Sequence, residues 1–198
     1  MKISLRCGLI LACTVMPMTV HAHNINYPKR LVAELTAEKI RVSVGYDLEG
    51  EDGGKGLRER FDANRDGQVD QDEAELARMF VVNDVRKTLR VSLGTQPAAL
   101  TLTSVSDRGL EGSLQTREHI QFEFVFETPS PTGQEFELSI RDEVEGGLGV
   151  VPLQISVTGL RFIAGSLRGV GSGVAALPEW NRPVYLLRGQ ALTVRLAR

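Results

Sequence analysis

Apolar and polar residues alternate with period two through most of the chain after residue 30. Ile40, Val42, Val44 and Tyr46 alternate with Arg41, Ser43 and Gly45, the pattern of a strand with one buried face. Leu31, Ala33 and Leu35 precede it across Thr36-Ala37-Glu38-Lys39, which predicts a hairpin. The same signal marks Leu89-Val91-Leu93, Leu100-Leu102, Ile120-Phe122-Phe124-Phe126 and Phe136-Leu138-Ile140. It returns in Leu153-Ile155-Val157, in Val184 to Leu187 and in Leu192-Val194-Leu196. Pro129-Ser130-Pro131-Thr132-Gly133, Glu145-Gly146-Gly147 and Gly171-Ser172-Gly173 separate these runs as turns. The acidic stretch Asp142 to Gly147 reads as a hairpin turn between two of the strands. Such a succession of short strands predicts a mainly β fold, an antiparallel β-sandwich with the phenylalanines of Phe122 to Phe126 in its core.

One segment leaves this rhythm. From about residue 55 to 87 the apolar spacing turns helical, with Leu57 and Phe61 before an acidic loop. Leu76, Met79, Phe80 and Val85 follow at intervals that give a helix one apolar face. The expected organisation is a β domain over residues 23–198 with a helix–loop–helix inserted at about 55–87.

The loop itself reads Asp62-Ala63-Asn64-Arg65-Asp66-Gly67-Gln68-Val69-Asp70-Gln71-Asp72-Glu73. It meets every fixed position of D-x-[DN]-x-[DN]-G-x5-E. Calcium is a hard cation that takes six to eight oxygens at roughly 2.3–2.6 Å. Asp62, Asn64 and Asp66 are the expected side-chain ligands, Gln68 offers its backbone carbonyl, and Asp70 acts through a water. Glu73 closes the site with both carboxylate oxygens, and Gly67 permits the sharp turn after the third ligand. Val69 is expected to make a short β contact, and Phe61 supplies the apolar end of the first helix. No second loop of this spacing occurs, so support for a single hand must come from the β domain. Gly53, Gly54 and Gly56 limit the first helix to about two turns.

Composition and charge narrow the setting. The 198 residues include 42% hydrophobic and 24% charged residues, 20 glycines and 8 prolines, which suits a turn-rich globular β protein. Residues 1–22 have the layout of a secretory signal. Lys2 and Arg6 precede the apolar stretch Cys7 to Val20, and Val20-His21-Ala22 forms a small-residue cleavage site. After Ala22 no apolar run reaches the ~20 residues of a membrane-spanning helix. Leu11-Ala12-Cys13 is a rival lipobox that would make an outer-membrane lipoprotein through Cys13. With cleavage after Ala22 both cysteines, Cys7 and Cys13, are lost. Disulfides, cysteine–zinc sites and cysteine nucleophiles are then excluded. Removing Lys2 and Arg6 from the 23 basic residues leaves 21 against 25 acidic ones, a net charge of −4 that disfavours nucleic acid.

The loop and its flanks resemble calmodulin-type EF-hands over about thirty residues, Lys55 to Lys87 at most. A wider resemblance spans His23 to Phe126. It begins with His-Asn-Ile-Asn at residues 23–26, continues with the hairpin ending in Ile40 to Tyr46, and leads to the acidic loop and further strands. This order is similar to the extracytoplasmic domain of HupE/UreJ-type membrane proteins. The resemblance implies a β-sandwich carrying a calcium loop, in a family linked to nickel or cobalt uptake. Those proteins continue into transmembrane helices, whereas this sequence shows none, so transport is not implied.

Three functions follow as expectations. The first is an exported, non-catalytic calcium-binding protein of the bacterial periplasm or cell surface, with Ca2+ ordering a structural or partner-binding element. The second is an accessory component of an envelope assembly for adhesion, motility or metal handling, whose partner is another envelope or surface protein. The third is a calcium-stabilised hydrolase, for which there is no Gly-x-Ser-x-Gly elbow and little histidine beyond His119. Acid pairs such as Asp142 and Glu143 are its carboxylate candidates, of a kind abundant on solvated turns. An N-terminal His23 could also chelate copper, with His119 as the one other histidine of the mature chain.

Overall fold

The computed structural model describes residues 28–198 apart from 50, 117–118, 144–149, 170–171, 177–182 and 188. The expected signal at 1–22, the lipobox at Cys13 and His23 lie outside the described residues.

The alternating runs fold as strands. In chain order these are β1 (Lys29–Thr36), β2 (Lys39–Leu48), β3 (Gln68–Val69), β4 (Leu89–Leu93), β5 (Gln96–Pro97), β6 (Thr101–Arg108) and β7 (Gly112–Ser113). Then come β8 (Ile120–Pro129), β9 (Glu135–Asp142), β10 (Val150–Thr158), β11 (Arg161–Gly169), β12 (Ser172–Ala176), β13 (Val184–Leu187) and β14 (Ala191–Ala197). Helix α1 (Gly56–Phe61) follows a π-helical turn at Glu51–Lys55, and α2 (Gln71–Thr88) runs directly into β4. Among the described residues the strands make a first sheet in the order β13-β10-β1-β2-β8-β6 and a second in the order β12-β11-β14-β9-β4-β5. A third, two-stranded sheet joins β3 to β7. The chain is mainly β.

Each large sheet turns one face inward. Phe122, Phe124 and Phe126 of the first are at most 2% exposed, as are Leu138, Ile140, Leu192, Val194 and Leu196 of the second. All belong to one contiguous apolar cluster with the buried residues of α2. Full burial of a side chain of this size contributes about 1.5–3 kcal/mol, so this shared interior holds the sheets and the helix together.

Four features depart from the expected pattern. β1 and β10 pair in parallel, Leu31 opposite Leu153, so the first sheet is mixed rather than antiparallel. Parallel neighbours need a crossover, and the chain supplies one by passing from β9 in the second sheet to β10 in the first. The strands that flank the expected hairpin turn at Asp142 to Gly147 do not pair with each other, since β9 pairs with β14 and β4 while β10 pairs with β1 and β13; residues 144–147 themselves lie outside the described residues. Strand β11 carried no alternation because its register slips between Phe162 and Ala164, and a bulge resets which residues face inward.

The fourth departure concerns α2. Its buried face is Ala74, Ala77, Val81, Val82 and Val85, whereas Leu76 and Met79 are each 54% exposed. The small residues at 74, 77 and 81 share one face by helical spacing and let the backbone approach the interior. Leu76 and Met79 point away from it.

Where α2 meets both sheets lies a buried polar cluster. Lys29 Nζ stands 2.7 Å from Asp142 Oδ2, with both side chains at most 3% exposed. The same ammonium donates to Thr88 Oγ1 at 3.0 Å and lies 5.7 Å from the centre of the Tyr46 ring. Burial pulls the Lys29 pKa below its ordinary value against the attraction of Asp142, and burial pushes Tyr46 well above its own. Half-buried Asp84 is raised chiefly by desolvation, with Lys29 opposing. Asp142, a glycosidase candidate by sequence, is thus committed to an ion pair inside the protein.

Candidate metal centre

Local chemistry shapes the acidic loop. Asp62 Oδ1 accepts from Asp66 N at 3.1 Å and its Oδ2 from Gly67 N at 3.1 Å. Asn64 Oδ1 accepts from Asp66 N at 2.8 Å, and Asp66 Oδ1 accepts from Gln68 N at 2.8 Å. These are Asx-type turns, in which short polar side chains bend the backbone around themselves. Gly67 at φ 83° takes the left-handed turn that glycine accommodates freely, and Arg65 at φ 62° takes another.

Asp70 and Glu73 join the loop to α2. Asp70 is the N-cap, its Oδ1 accepting from Glu73 N at 2.9 Å, while Glu73 Oε2 accepts from Asp70 N at 3.1 Å. This reciprocal pair is a capping box. The other Glu73 oxygen crosses the loop, accepting from Ala63 N at 2.8 Å and Asn64 N at 3.2 Å. One side chain, 5% exposed, thereby ties Ala63 and Asn64 near the start of the loop to Asp70 near its end.

Of the six expected ligand residues, Asp62, Asn64, Asp66, Gln68 and Asp70 lie between α1 and α2, and Glu73 stands in the first turn of α2. Their donors are all oxygen, the set a hard cation takes. The carboxylates are individually satisfied by backbone N–H groups. No three of them fall within 4.8 Å of one another, as three donors elsewhere do. The residues fit calcium in type and order, and closing on an ion would draw their free lone pairs inward.

The support for this single loop comes from the segment between β6 and β8. Gln68 and Val69 of β3 pair with Ser113 and Gly112 of β7, and Leu114 N donates to Gly67 O at 3.0 Å. Val69 is 2% exposed. Arg58 of α1 is fully buried and donates Nε to Gly109 O at 3.1 Å, with Nη2 on the same carbonyl. Arg78 of α2 donates Nε to Asp107 at 2.6 Å and Nη2 to Glu111 at 2.9 Å. Phe61 and Phe80 close the helix pair at 5.6 Å between ring centres, with the Arg60 guanidinium 4.2 Å from the Phe80 ring.

Gly109 is the tightest point of this support. Its φ is 75°, and a Cβ there would lie 2.4 Å from the backbone oxygen of His119. Gly109→Ala is expected to cost about 1–3 kcal/mol, read as a lower urea midpoint at unchanged slope. It should also loosen the loop, since the carbonyl that receives Arg58 must move.

The sequence did not disclose a second group of donors. Asp47 and Glu49 at the end of β2 converge with His119, which precedes β8, their ligand atoms lying within 4.8 Å of one another. Pairing of Leu48 with Ile120 brings the two segments side by side. Only the Asp-x-Glu spacing at a strand end could have hinted at it. His119, the suggested helper of His23, is placed with these carboxylates.

Among the described residues no helix is long and apolar enough to cross a membrane. No protein-family model matches the chain, and no curated protein matches it.

Proposed function

We propose that this chain is an exported calcium-binding protein without catalytic activity, a β-sandwich carrying one EF-hand between its early strands. The observation that carries this is the Asp62 to Glu73 loop, which stands between two helices with Glu73 bracing both of its ends. Asp62, Asn64, Asp66 and Glu73 would supply side-chain oxygens, Gln68 its carbonyl, and Asp70 a bound water. Calcium adds a divalent charge among carboxylates that otherwise repel one another, and so orders the helix pair. Support for a lone hand comes from β7, which takes the place a partner hand's strand would occupy.

The signal-like residues 1–22 and the resemblance to HupE/UreJ extracytoplasmic domains favour the periplasm or cell surface. There the partner would be another envelope or surface protein. Exposed Leu76 and Met79 on the outer face of α2 offer it apolar contacts. A site of this kind outside the cytoplasm binds with a Kd on the order of 10⁻⁴–10⁻³ M, suited to ambient calcium and not to rapid signalling.

Thermal unfolding tests this. If only the folded chain binds, calcium at about 100 times Kd raises stability by about 2.7 kcal/mol. The rise should saturate, and magnesium at the same concentration should give much less. A melting temperature indifferent to calcium up to tens of millimolar would refute the proposal.

A further inference from the structure

A separate metal site is built from Asp47, Glu49 and His119. His119 Nδ1 lies 3.7 Å from Asp47 Oδ1 and 3.8 Å from Glu49 Oε1. Both separations exceed hydrogen-bond length, so the imidazole closes a bond to neither carboxylate. Asp47 Oδ1 is itself a buried oxygen with no hydrogen-bond partner among the described residues. Its other oxygen accepts from Gln121 Nε2 at 3.4 Å, a contact that steadies the carboxylate. The three side chains are otherwise open to solvent, His119 51%, Asp47 35% and Glu49 68% exposed. Here one acceptor is desolvated and unsatisfied while facing a ring nitrogen across a gap.

That gap has the dimension of a coordinated ion. Tetrahedral zinc with bonds of about 2.0–2.1 Å holds its ligand atoms about 3.3 Å apart. Drawing His119 toward each carboxylate by about half an ångström would bring those two pairs to that spacing. The donor set selects the class of cation. An imidazole is poorly used by calcium or magnesium, and a site without thiolate is poorly suited to copper(I), whereas one imidazole with two carboxylates suits zinc and its neighbours.

We propose that Asp47, Glu49 and His119 bind a first-row divalent cation of the zinc class. At least one coordination position is left for water or an outside ligand. The site differs from the acidic loop in donor chemistry and in place, at the junction of β2 with the connection into β8. It stands whether or not the loop binds calcium.

Calorimetric titration of zinc into the whole chain at neutral pH, with calcium in excess, tests this directly. One equivalent should bind. His119→Ala, a change at a half-exposed side chain, should weaken it by more than about tenfold, since loss of even an outer-shell partner typically costs about 10–100-fold. Asp47→Asn and Glu49→Gln should each weaken it similarly, and Glu73→Gln should leave it unaltered. The His119 ring resonances should shift on adding zinc. Zinc binding unchanged in His119→Ala would overturn the proposal, as would binding abolished only by His23→Ala, or none at millimolar zinc. Calcium titrations of the same variants report on the loop alone, so the two sites fail separately.

Discussion

Glu73→Gln is expected to weaken calcium binding at least about tenfold and, independently, to lower the stability of the calcium-free protein by about 1–3 kcal/mol. Both effects come from one carboxylate. It accepts from Ala63, Asn64 and Asp70, uniting the two ends of the loop, and it is nearly shielded from water. A glutamine has one acceptor oxygen and one NH2 group. Whichever way it turns, at least one backbone N–H then faces a donor inside the protein. Removing the negative charge also takes away the ligand that can grip calcium with two oxygens. Calorimetry gives the first effect and urea unfolding in chelator gives the second. Calcium heats equal to those of the unaltered chain would show that the loop is not the binding site.

Lys29→Ala is expected to be the most damaging single change, at about 3–5 kcal/mol. That is a large share of the 5–15 kcal/mol typical of a folded domain. Its partner Asp142 would be left charged inside the protein, and apart from that ammonium neither of its oxygens has a hydrogen-bond partner among the described residues. The double change Lys29→Met with Asp142→Leu should recover most of the loss, because a buried ion pair is often no better than apolar residues of similar volume. A pH dependence follows from the same pair. Burial holds Lys29 below its ordinary pKa, so just below pH 10.5 the unfolded chain binds more protons than the folded one. This contribution therefore rises with pH across that window and should vanish in Lys29→Ala. Denaturant unfolding at several pH values measures both. A loss under about 1 kcal/mol would mean that water reaches Asp142.

What could be read from the sequence was what is decided within a few residues. The sharp turn at Gly67 was announced by spacing, and the Asx turns of Asp62, Asn64 and Asp66 and the Asp70–Glu73 capping box, found only in the structure, are just as local. β1, β2, β8 and β9 were legible because one face of each is buried without interruption. Bulges hid β11 and shortened the visible part of β6, whose register slips between Leu102 and Ser104. Gly112 and Ser113 have no pattern that could reveal a partner for Val69. The face of α2 was read half correctly: Val85 is buried and Phe80 packs on the core, but Leu76 and Met79 point outward while Ala74, Ala77, Val81 and Val82 complete the contact. Likewise, nothing near His119 in sequence points to Asp47 or Glu49; the β2–β8 register does that.

The strap formed by residues 107–114 changes what can count as one structural unit with the acidic loop. It receives Arg78 at Asp107 and Glu111, Arg58 at Gly109, and β3 at Gly112 and Ser113. A helix–loop–helix lifted out of this chain and grafted into another host would arrive without its anchor. The transplantable unit is discontinuous, two stretches that must travel together and keep their relative spacing. An insertion of one residue between Arg108 and Gly112 would disturb the loop as surely as a change inside it, although it removes no ligand.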